Sequence, residues 1–237
     1  MRNNIKISVA IATYNCEKTI KTAIESIIYQ DYDNIELVVV DGLSTDGTTK
    51  IIEQYSKIPH KFVIEKDNGV YDAMNKALDV ATGDFIIFLG ADDHFISNDV
   101  VSGIVANIGD LDKVYYGNVV RSGSCDIYCG RFNKYKLAVK NISHQALFYP
   151  KCIYKKHKYE LKYVTMADYA YNIKIWDTIE FKYIKTLTCY YQSGGLSEKI
   201  EDKTFNNDRR SLICSNIGFL PYYYSSIYHF FRNLIKH

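Results

Sequence analysis

Continuous apolar runs alternate with amphipathic stretches along the first hundred residues of the chain. Strands are predicted where nearly every position is apolar, because a parallel strand covered on both faces lacks polar alternation. Helices are predicted where apolar residues recur at three- and four-residue spacing. Strands are expected at 6–13, 35–40, 62–65 and 84–89, and helices at 17–29, around 51–55 and at 70–81.

This alternation of strands and helices predicts an α/β fold. We expect a mostly parallel, Rossmann-like sheet with helices on both faces. Asn15 is predicted to be the N-cap of the first helix, and Gly83 is predicted to stop the third.

The second half of the chain has shorter stretches. A helix is expected around 101–108, strands at 114–120, 127–132 and 181–192, a helix at 168–176, and a turn at 193–197. These elements predict a smaller mixed-sheet extension that forms the other wall of a cleft. Since no linker composition occurs near residue 110, we expect one domain with halves at 1–110 and 111–200, followed by a helical tail at 201–237.

Composition limits the class of protein. Of the 237 residues, 47% are hydrophobic and 24% are charged, which is typical of a globular domain with a sizeable core. A net charge of +2 is too small to indicate nucleic-acid binding. The six cysteines form no CxxC pair, and the N-terminal residues do not form a signal peptide. We therefore expect reduced cysteines and a cytoplasmic location.

Acidic residues follow several of the predicted strands. In α/β sheets, ligands bind at the carboxyl ends of the strands. The segment FIIFLGADDHF, 85–95, is an apolar strand that ends in Asp92 and Asp93. Adjacent carboxylates repel each other and are unfavourable to bury unpaired, so a cation is expected beside them.

Six motifs occur in order along the chain: VAIATYNCE, VVVDGLSTDGT, EKDNGVYDAMNKALDVATGDFIIFLGADD, HQALFY, ADYAYNIKI and GGLS. Taken together, they resemble family 2 glycosyltransferases of the GT-A fold, and more narrowly the bacterial enzymes that build O-antigen and capsule repeat units. The resemblance is dense over residues 5–100 and sparser up to Ser197. It implies an inverting transferase that moves a sugar from a nucleotide sugar, expected to be a UDP-sugar, to a glycan or an undecaprenyl-diphosphate-linked acceptor.

The resemblance implies a role for each motif. Asp93 would ligate Mg²⁺ or Mn²⁺ directly, with Asp92 nearer the ribose or bridging through water. Asp168 would be the general base, on the opposite side of the sugar from the metal. The nucleotide would contact Thr13, Tyr14, Asn15, Glu17, Asp41, Asp67 and Asp92. The donor and acceptor sugars would contact Asn68, Gly69, Asp72, Asn75, His144, Gln145, Gly195 and Ser197.

The chain departs from the common pattern of this family at two positions. Met74 stands where many relatives have arginine, and Ala167 stands where many have a first acid. Other interpretations stay open. Asp168 could be a charge favoured by the helix dipole, the segment 194–197 could be a lid or a plain turn, and the whole chain could be a catalytically inactive nucleotide-sugar-binding module.

The C-terminal tail has a basic, aromatic, amphipathic pattern. No acid follows Asp208, and apolar side chains recur at helical spacing over 227–235. Such a helix suits the anionic inner face of the bacterial plasma membrane. Packing against the domain and a dimer contact are equally compatible with the pattern.

Overall fold

The computed structural model describes residues 5–55, 60–192, 194–195 and 200–235, and within them nine strands form a single mixed sheet. The strands are β1 Ile7–Thr13, β2 Ile35–Asp41, β3 His60–Ile64, β4 Phe85–Gly90, β5 His94–Phe95, β6 Val114–Arg121, β7 Ile127–Tyr128, β8 Leu147–Pro150 and β9 Phe181–Tyr191. The helices are α1 Ile20–Ile28, α2 Thr48–Glu53, α3 Val70–Val80, α4 Val100–Asn107, α5 Lys134–Val139, α6 Lys151–Tyr154, α7 Ala167–Ile175, α8 Lys203–Asn216 and α9 Phe219–Ile235, with a 3₁₀ turn at His144–Ala146.

The strand order brings the carboxyl ends of six strands to one edge. The order is β3-β2-β1-β4-β8-β6-β9-β5, and the strands β1 to β4 are mutually parallel. β8 runs antiparallel to both β4 and β6, so β6 is parallel to β4. β9 is parallel to β6. The ends of β1, β2, β3, β4, β6 and β9 therefore face the same side of the molecule.

The predicted apolar strands are buried because helices cover the sheet. The side chains of β1, β2 and β4 are almost entirely shielded from solvent. The buried apolar residues form one cluster that runs from Ile7 to Ile217 and draws on both predicted halves. The division at residues 110 and 200 stays a prediction.

Asn15 is not the N-cap of α1, because that helix begins at Ile20, three residues later than predicted. Asn15 instead adopts a φ of 52°, and its side-chain oxygen accepts a hydrogen bond from Thr45 N at 2.8 Å. The residue therefore joins the β1–α1 loop to the β2–α2 loop.

Gly83 does not stop α3, which ends at Val80. The reason for glycine here is a close approach to β1. Its N–H donates to Ser8 Oγ at 2.9 Å, and a Cβ at this position would lie 2.6 Å from Ser8 N.

The predicted strand at 127–132 is shorter than expected. Only Ile127–Tyr128 pairs with β6, and Cys129 has a φ of 107°. A left-handed backbone at this residue takes the chain out of the sheet.

The two C-terminal helices pack on the second half of the domain through a small contact. α9 contacts α5 and α8 and buries Pro221 and Ser225, and the rings of Tyr135 and Tyr224 meet edge to face at 5.6 Å. Most of the apolar side chains of α9 remain exposed. Among the described residues, no helix is both long and apolar enough to cross a membrane.

Candidate functional site

A cleft of about 1070 Å³ opens at the carboxyl edge of the sheet. Strand ends and loops from both halves of the chain line it, including Tyr14 and Asp92 from the first half and Arg121, His144 and Asp168 from the second. Its volume lies at the top of the range for small-molecule sites, so two ligands can be accommodated side by side.

The acidic pair lies at the end of β4, beside Gly90. Asp92 is exposed to the cleft, whereas Asp93 is only 2% exposed. A Cβ at position 90 would lie 2.6 Å from Asp93 Oδ2 and 2.8 Å from Asp92 Oδ1. A side chain at position 90 would therefore require both carboxylates to shift.

Neutral donors surround the carboxylate of Asp93. Its Oδ2 accepts from Gln145 Nε2 at 2.7 Å and from Gly90 N at 3.1 Å, and its Oδ1 accepts from Gln192 N at 2.8 Å. Asp93 therefore ties the end of β4 to the 144–146 turn and to the residue that follows β9. This buried network could not be foreseen from the spacing of the residues.

The acidic pair fits a hard divalent ion that takes its other ligands from a diphosphate. No group of three or more histidine, cysteine, aspartate or glutamate side chains among the described residues could enclose a metal. Mg²⁺, however, usually binds one or two carboxylates and completes its shell with phosphate and water. Asp92 is accessible, and Asp93 retains one acceptor position beyond its three hydrogen bonds.

Asp168 lies in the first turn of α7, also lines the cleft, and is 7% exposed. Its Oδ1 accepts from Tyr71 Oη at 2.9 Å and from Tyr169 N at 2.8 Å. Its Oδ2 accepts from Asn141 Nδ2 at 2.9 Å and lies 3.3 Å from His144 Nδ1. These contacts fix the orientation of the carboxylate at the cleft surface.

Sequence reasoning missed Tyr71 and Asn141 as partners of Asp168. Tyr71 lies next to Asp72 in one of the motifs that carry the resemblance. That position was the one indication in the sequence that Tyr71 belongs to the site. Burial and the negative charge of Asp168 raise the pKa of Tyr71 well above its usual value, so its hydroxyl stays protonated and donates.

The side chain of His144 lies close to the carboxylates of Asp168, Asp93 and Asp92. Burial alone would lower the pKa of this imidazole, but the hydrogen bond to Asp168 and the charges of Asp168, Asp93 and Asp92 outweigh it. The pKa of His144 is therefore raised above its ordinary value.

The 144–146 turn contacts both acidic groups of the cleft. His144 contacts Asp168, and the next residue, Gln145, donates to Asp93. The structure thus brings together Asp93, His144, Gln145 and Asp168, which the sequence had placed in one site. The two neighbouring side chains, His144 and Gln145, fix the position of one carboxylate relative to the other.

On the nucleotide side, the predicted residues divide into cleft-lining and loop-stabilising groups. Tyr14 is 58% exposed and lines the cleft together with Asn15 and Glu17. Glu17 also accepts from Gly47 N at 2.7 Å, which fixes the neighbouring loop. Thr13 is buried, and its hydroxyl has no hydrogen-bond partner among the described residues.

Asp41 lies below the cleft surface. It is completely buried, and its two oxygens accept from Ser44 N at 2.8 Å and from Ser44 Oγ at 2.6 Å. The contact with a nucleotide base that was expected for Asp41 stays a prediction.

Polar residues predicted to contact the nucleotide (Asp67) or the sugars (Asn68, Asp72 and Asn75) are engaged with the protein itself. Asp67 accepts from Gly69 N at 2.9 Å, and Asp72 accepts from Asn68 N at 2.9 Å, so these contacts shape the loop before α3. The side chain of Asn75 binds the backbone of Tyr159 through both its oxygen and its nitrogen.

The late glycine-rich turn contributes one described residue to the site. Gly195 lines the cleft. Ser197, which was predicted to contact a sugar, lies outside the described residues.

Comparison with known proteins gives a consistent set of relatives. A family model described as "Glycosyl transferase family 2" matches residues 8–173. The chain is 35% identical over 208 residues to a PGL/p-HBAD biosynthesis glycosyltransferase of Mycobacterium bovis, covering 84% of this chain and 81% of the relative. It is 34% identical over 113 residues to the Escherichia coli UDP-Glc:alpha-D-GlcNAc-diphosphoundecaprenol beta-1,3-glucosyltransferase WfaP, covering 46% of this chain and 43% of WfaP.

The fold is shared with a solved structure. S. aureus TarS 1–349 in complex with UDP superposes with a TM-score of 0.74 at 22% sequence identity, covering 90% of this chain and 65% of the TarS chain. The likeness confirms the α/β GT-A fold expected from the sequence.

Proposed function

Because the chain belongs to glycosyl transferase family 2, we propose that it is an inverting, metal-dependent enzyme that transfers a sugar from a UDP-sugar to a lipid-linked or glycan acceptor. The observation that carries this proposal is that two acidic groups, Asp92–Asp93 and Asp168, line one cleft and are contacted by consecutive residues of the 144–146 turn.

Asp168 is the residue we assign as the general base. Inversion needs the acceptor hydroxyl to attack from the side opposite the leaving diphosphate, so base and diphosphate site must flank the donor sugar. Asp168 faces the cleft and takes the hydroxyl proton as the new bond forms. Tyr71, Asn141 and His144 hold its carboxylate in place.

Asp92 and Asp93 are the residues we assign to a bound Mg²⁺ or Mn²⁺. Such an ion would neutralise the charge that develops on the departing nucleotide diphosphate. Asp92 offers an exposed carboxylate, and the hydrogen bonds to Asp93 fix the position of the pair at the strand end.

The nucleotide is proposed to lie over the ends of β1 and β2. The exposed ring of Tyr14 offers a stacking surface for the base, and the joined β1–α1 and β2–α2 loops offer a rigid floor. The UDP complex of TarS, a protein with the same fold, supports uridine as the base.

A panel transfer assay tests the proposal. Purified enzyme is incubated with isotope-labelled UDP-, GDP- and TDP-sugars, Mn²⁺, and either a diphosphate-lipid-linked or a simple glycoside acceptor. We expect labelled product from a UDP-sugar, inverted anomeric configuration by NMR, and loss of product with EDTA that excess Mn²⁺ restores. Full activity in EDTA would contradict the metal role, and a retained configuration would contradict inversion.

The exposed face of α9 is proposed to dock on an anionic membrane surface, where O-antigen or capsule acceptors would be met. Apolar side chains along this helix, including Ile227 and Phe231, remain solvent-exposed. Arg232 is the basic residue of its last turn, and no acid occurs in the sequence after Asp208. The charge pattern favours anionic lipid over a second copy of this equally basic helix.

Vesicle flotation tests the membrane proposal. Phe231→Glu introduces a charge on the exposed face, and Leu111→Glu is a matched control because the two side chains are 57% and 56% exposed. We expect wild type and Leu111→Glu to float with phosphatidylglycerol vesicles, and Phe231→Glu to stay with the soluble fraction. Equal flotation of all three proteins, or a stable dimer with no flotation, would contradict the proposal.

A further inference from the structure

Two cationic side chains lie against one tyrosine ring on the acceptor-side wall of the cleft. Arg121, the last residue of β6, places its guanidinium carbon 4.4 Å from the centroid of the Tyr128 ring. Lys140, which follows α5, places its Nζ 4.7 Å from the same centroid. All three residues line the cleft. We call this group the Tyr128 cluster.

The Tyr128 cluster holds two positive charges that are not paired with any carboxylate of the described residues. Within the described part of the chain, neither Arg121 nor Lys140 forms an ion pair with an acid. Both side chains are partly buried, so their mutual repulsion is screened less than it would be in bulk water. An anion placed between or beside them would relieve that repulsion.

The cluster is connected to the proposed base, Asp168. Tyr128 Oη donates to Asn141 O at 2.7 Å, and the side chain of Asn141 donates to Asp168. The anion that the cluster binds is therefore expected to arrive with the acceptor.

We propose that Arg121, Tyr128 and Lys140 form a phosphate-binding subsite for an acceptor whose sugar is carried on a phosphate or diphosphate. This inference rests on the proposed function and specifies its acceptor class. Stacking on Tyr128 orients the planar guanidinium of Arg121. The guanidinium can then donate hydrogen bonds to two phosphate oxygens at the same time. Lys140 adds a second positive charge. The donor diphosphate, in contrast, is assigned to Asp92, Asp93 and their metal ion.

The test compares two acceptors that present the same sugar. One carries it on a diphosphate with an alkyl tail, and the other carries it on the alkyl tail alone. The double variant Arg121→Gln with Lys140→Met removes both charges of the cluster. The matched control combines Arg210→Gln with Lys134→Met. Arg210 and Lys134 lie 5.7 and 5.8 Å from the rings of Tyr222 and Tyr135, outside the cleft lining.

We expect the double variant to lower kcat/KM for the diphosphate acceptor by roughly 10- to 100-fold, chiefly through KM, since charge-assisted hydrogen bonds are lost. The KM for the UDP-sugar and kcat/KM for the neutral acceptor should stay unchanged, and the control should match wild type throughout.

Three outcomes would overturn the subsite, and they differ from failure of the proposed function. An equal loss of kcat/KM for both acceptors in the double variant would indicate a structural role for the cluster. A raised KM for the UDP-sugar in that variant would place the donor diphosphate at the cluster. Equal kcat/KM of the wild-type enzyme for both acceptors would show that the acceptor diphosphate is not recognised. Absence of transfer by wild type to either acceptor would instead contradict the proposed function itself.

Discussion

Asp168→Asn is expected to lower kcat about 10³-fold, within the range attributed to general-base catalysis, with little change in the KM for the donor. The side chain keeps its size, and its amide oxygen can still accept from Tyr71 and Tyr169 N. The amide cannot, however, take a proton from an acceptor hydroxyl. Steady-state rates with a saturating UDP-sugar measure the effect.

Tyr71→Phe is the control for this prediction, because it removes one hydrogen bond to Asp168 and keeps the ring. We expect a much smaller loss than for Asp168→Asn. If Asp168→Asn retained full turnover, Asp168 would be a helix-terminal charge rather than the base. If the wild-type chain bound UDP-sugar without turnover, the alternative of an inactive binding module would be favoured.

The pH profile gives a second measure of the same site. Below the raised pKa of His144 the imidazole is protonated, and its charge makes the neighbouring Asp168 carboxylate a weaker base. Activity should therefore fall as the pH falls through this pKa. In His144→Gln the imidazole that titrates is absent, so the acidic limb should move to lower pH. An unchanged limb would assign the titration to another group.

Asp93→Asn is expected to abolish metal-dependent turnover and also to destabilise the fold by about 2–3 kcal/mol, the range for a lost hydrogen bond to a buried charged group. The substitution places an amide NH₂ among the donors Gln145 Nε2, Gly90 N and Gln192 N, so at least one donor loses its acceptor. Thermal unfolding and Mn²⁺-dependent UDP binding by calorimetry measure the two effects separately.

Asp92→Asn is the matched variant, because Asp92 is exposed at the same strand end. We expect it to weaken Mn²⁺-dependent UDP binding with little change in the unfolding temperature. Normal metal-dependent binding in both variants would remove the acidic pair from the metal site, whatever their stability.

The fold could be read from the sequence where burial on both faces leaves a continuous apolar run. Three of the central strands were predicted to within a residue at each end, as at 35–40 against Ile35–Asp41. The predictions for the N-cap at Asn15 and for the strand at 127–132 were wrong, because backbone conformation rather than hydrophobicity determines the structure there. Asn15 and Cys129 adopt positive φ, and neither position carries the glycine that would have indicated such a conformation.

The candidate site was predicted as a set of residues, but not as a network. Motif order indicated Asp93, Asp168, His144 and Gln145. It could not show that Gln145 binds Asp93 across 52 residues of chain, since such a contact depends on the strand order. The Tyr128 cluster was missed for a related reason, because Arg121 ends β6 and Lys140 follows α5, and both contact the ring of Tyr128 only in the folded chain.

The bridge formed by His144 and Gln145 has a consequence for kinetics. One peptide unit separates the residue that contacts Asp168 from the residue that contacts Asp93, so a shift at either carboxylate is passed to the other. Binding of the nucleotide sugar at Asp92 and Asp93 should therefore fix the orientation of the Asp168 carboxylate before the acceptor binds. We expect a compulsory-order scheme, in which the donor enters first and UDP leaves last.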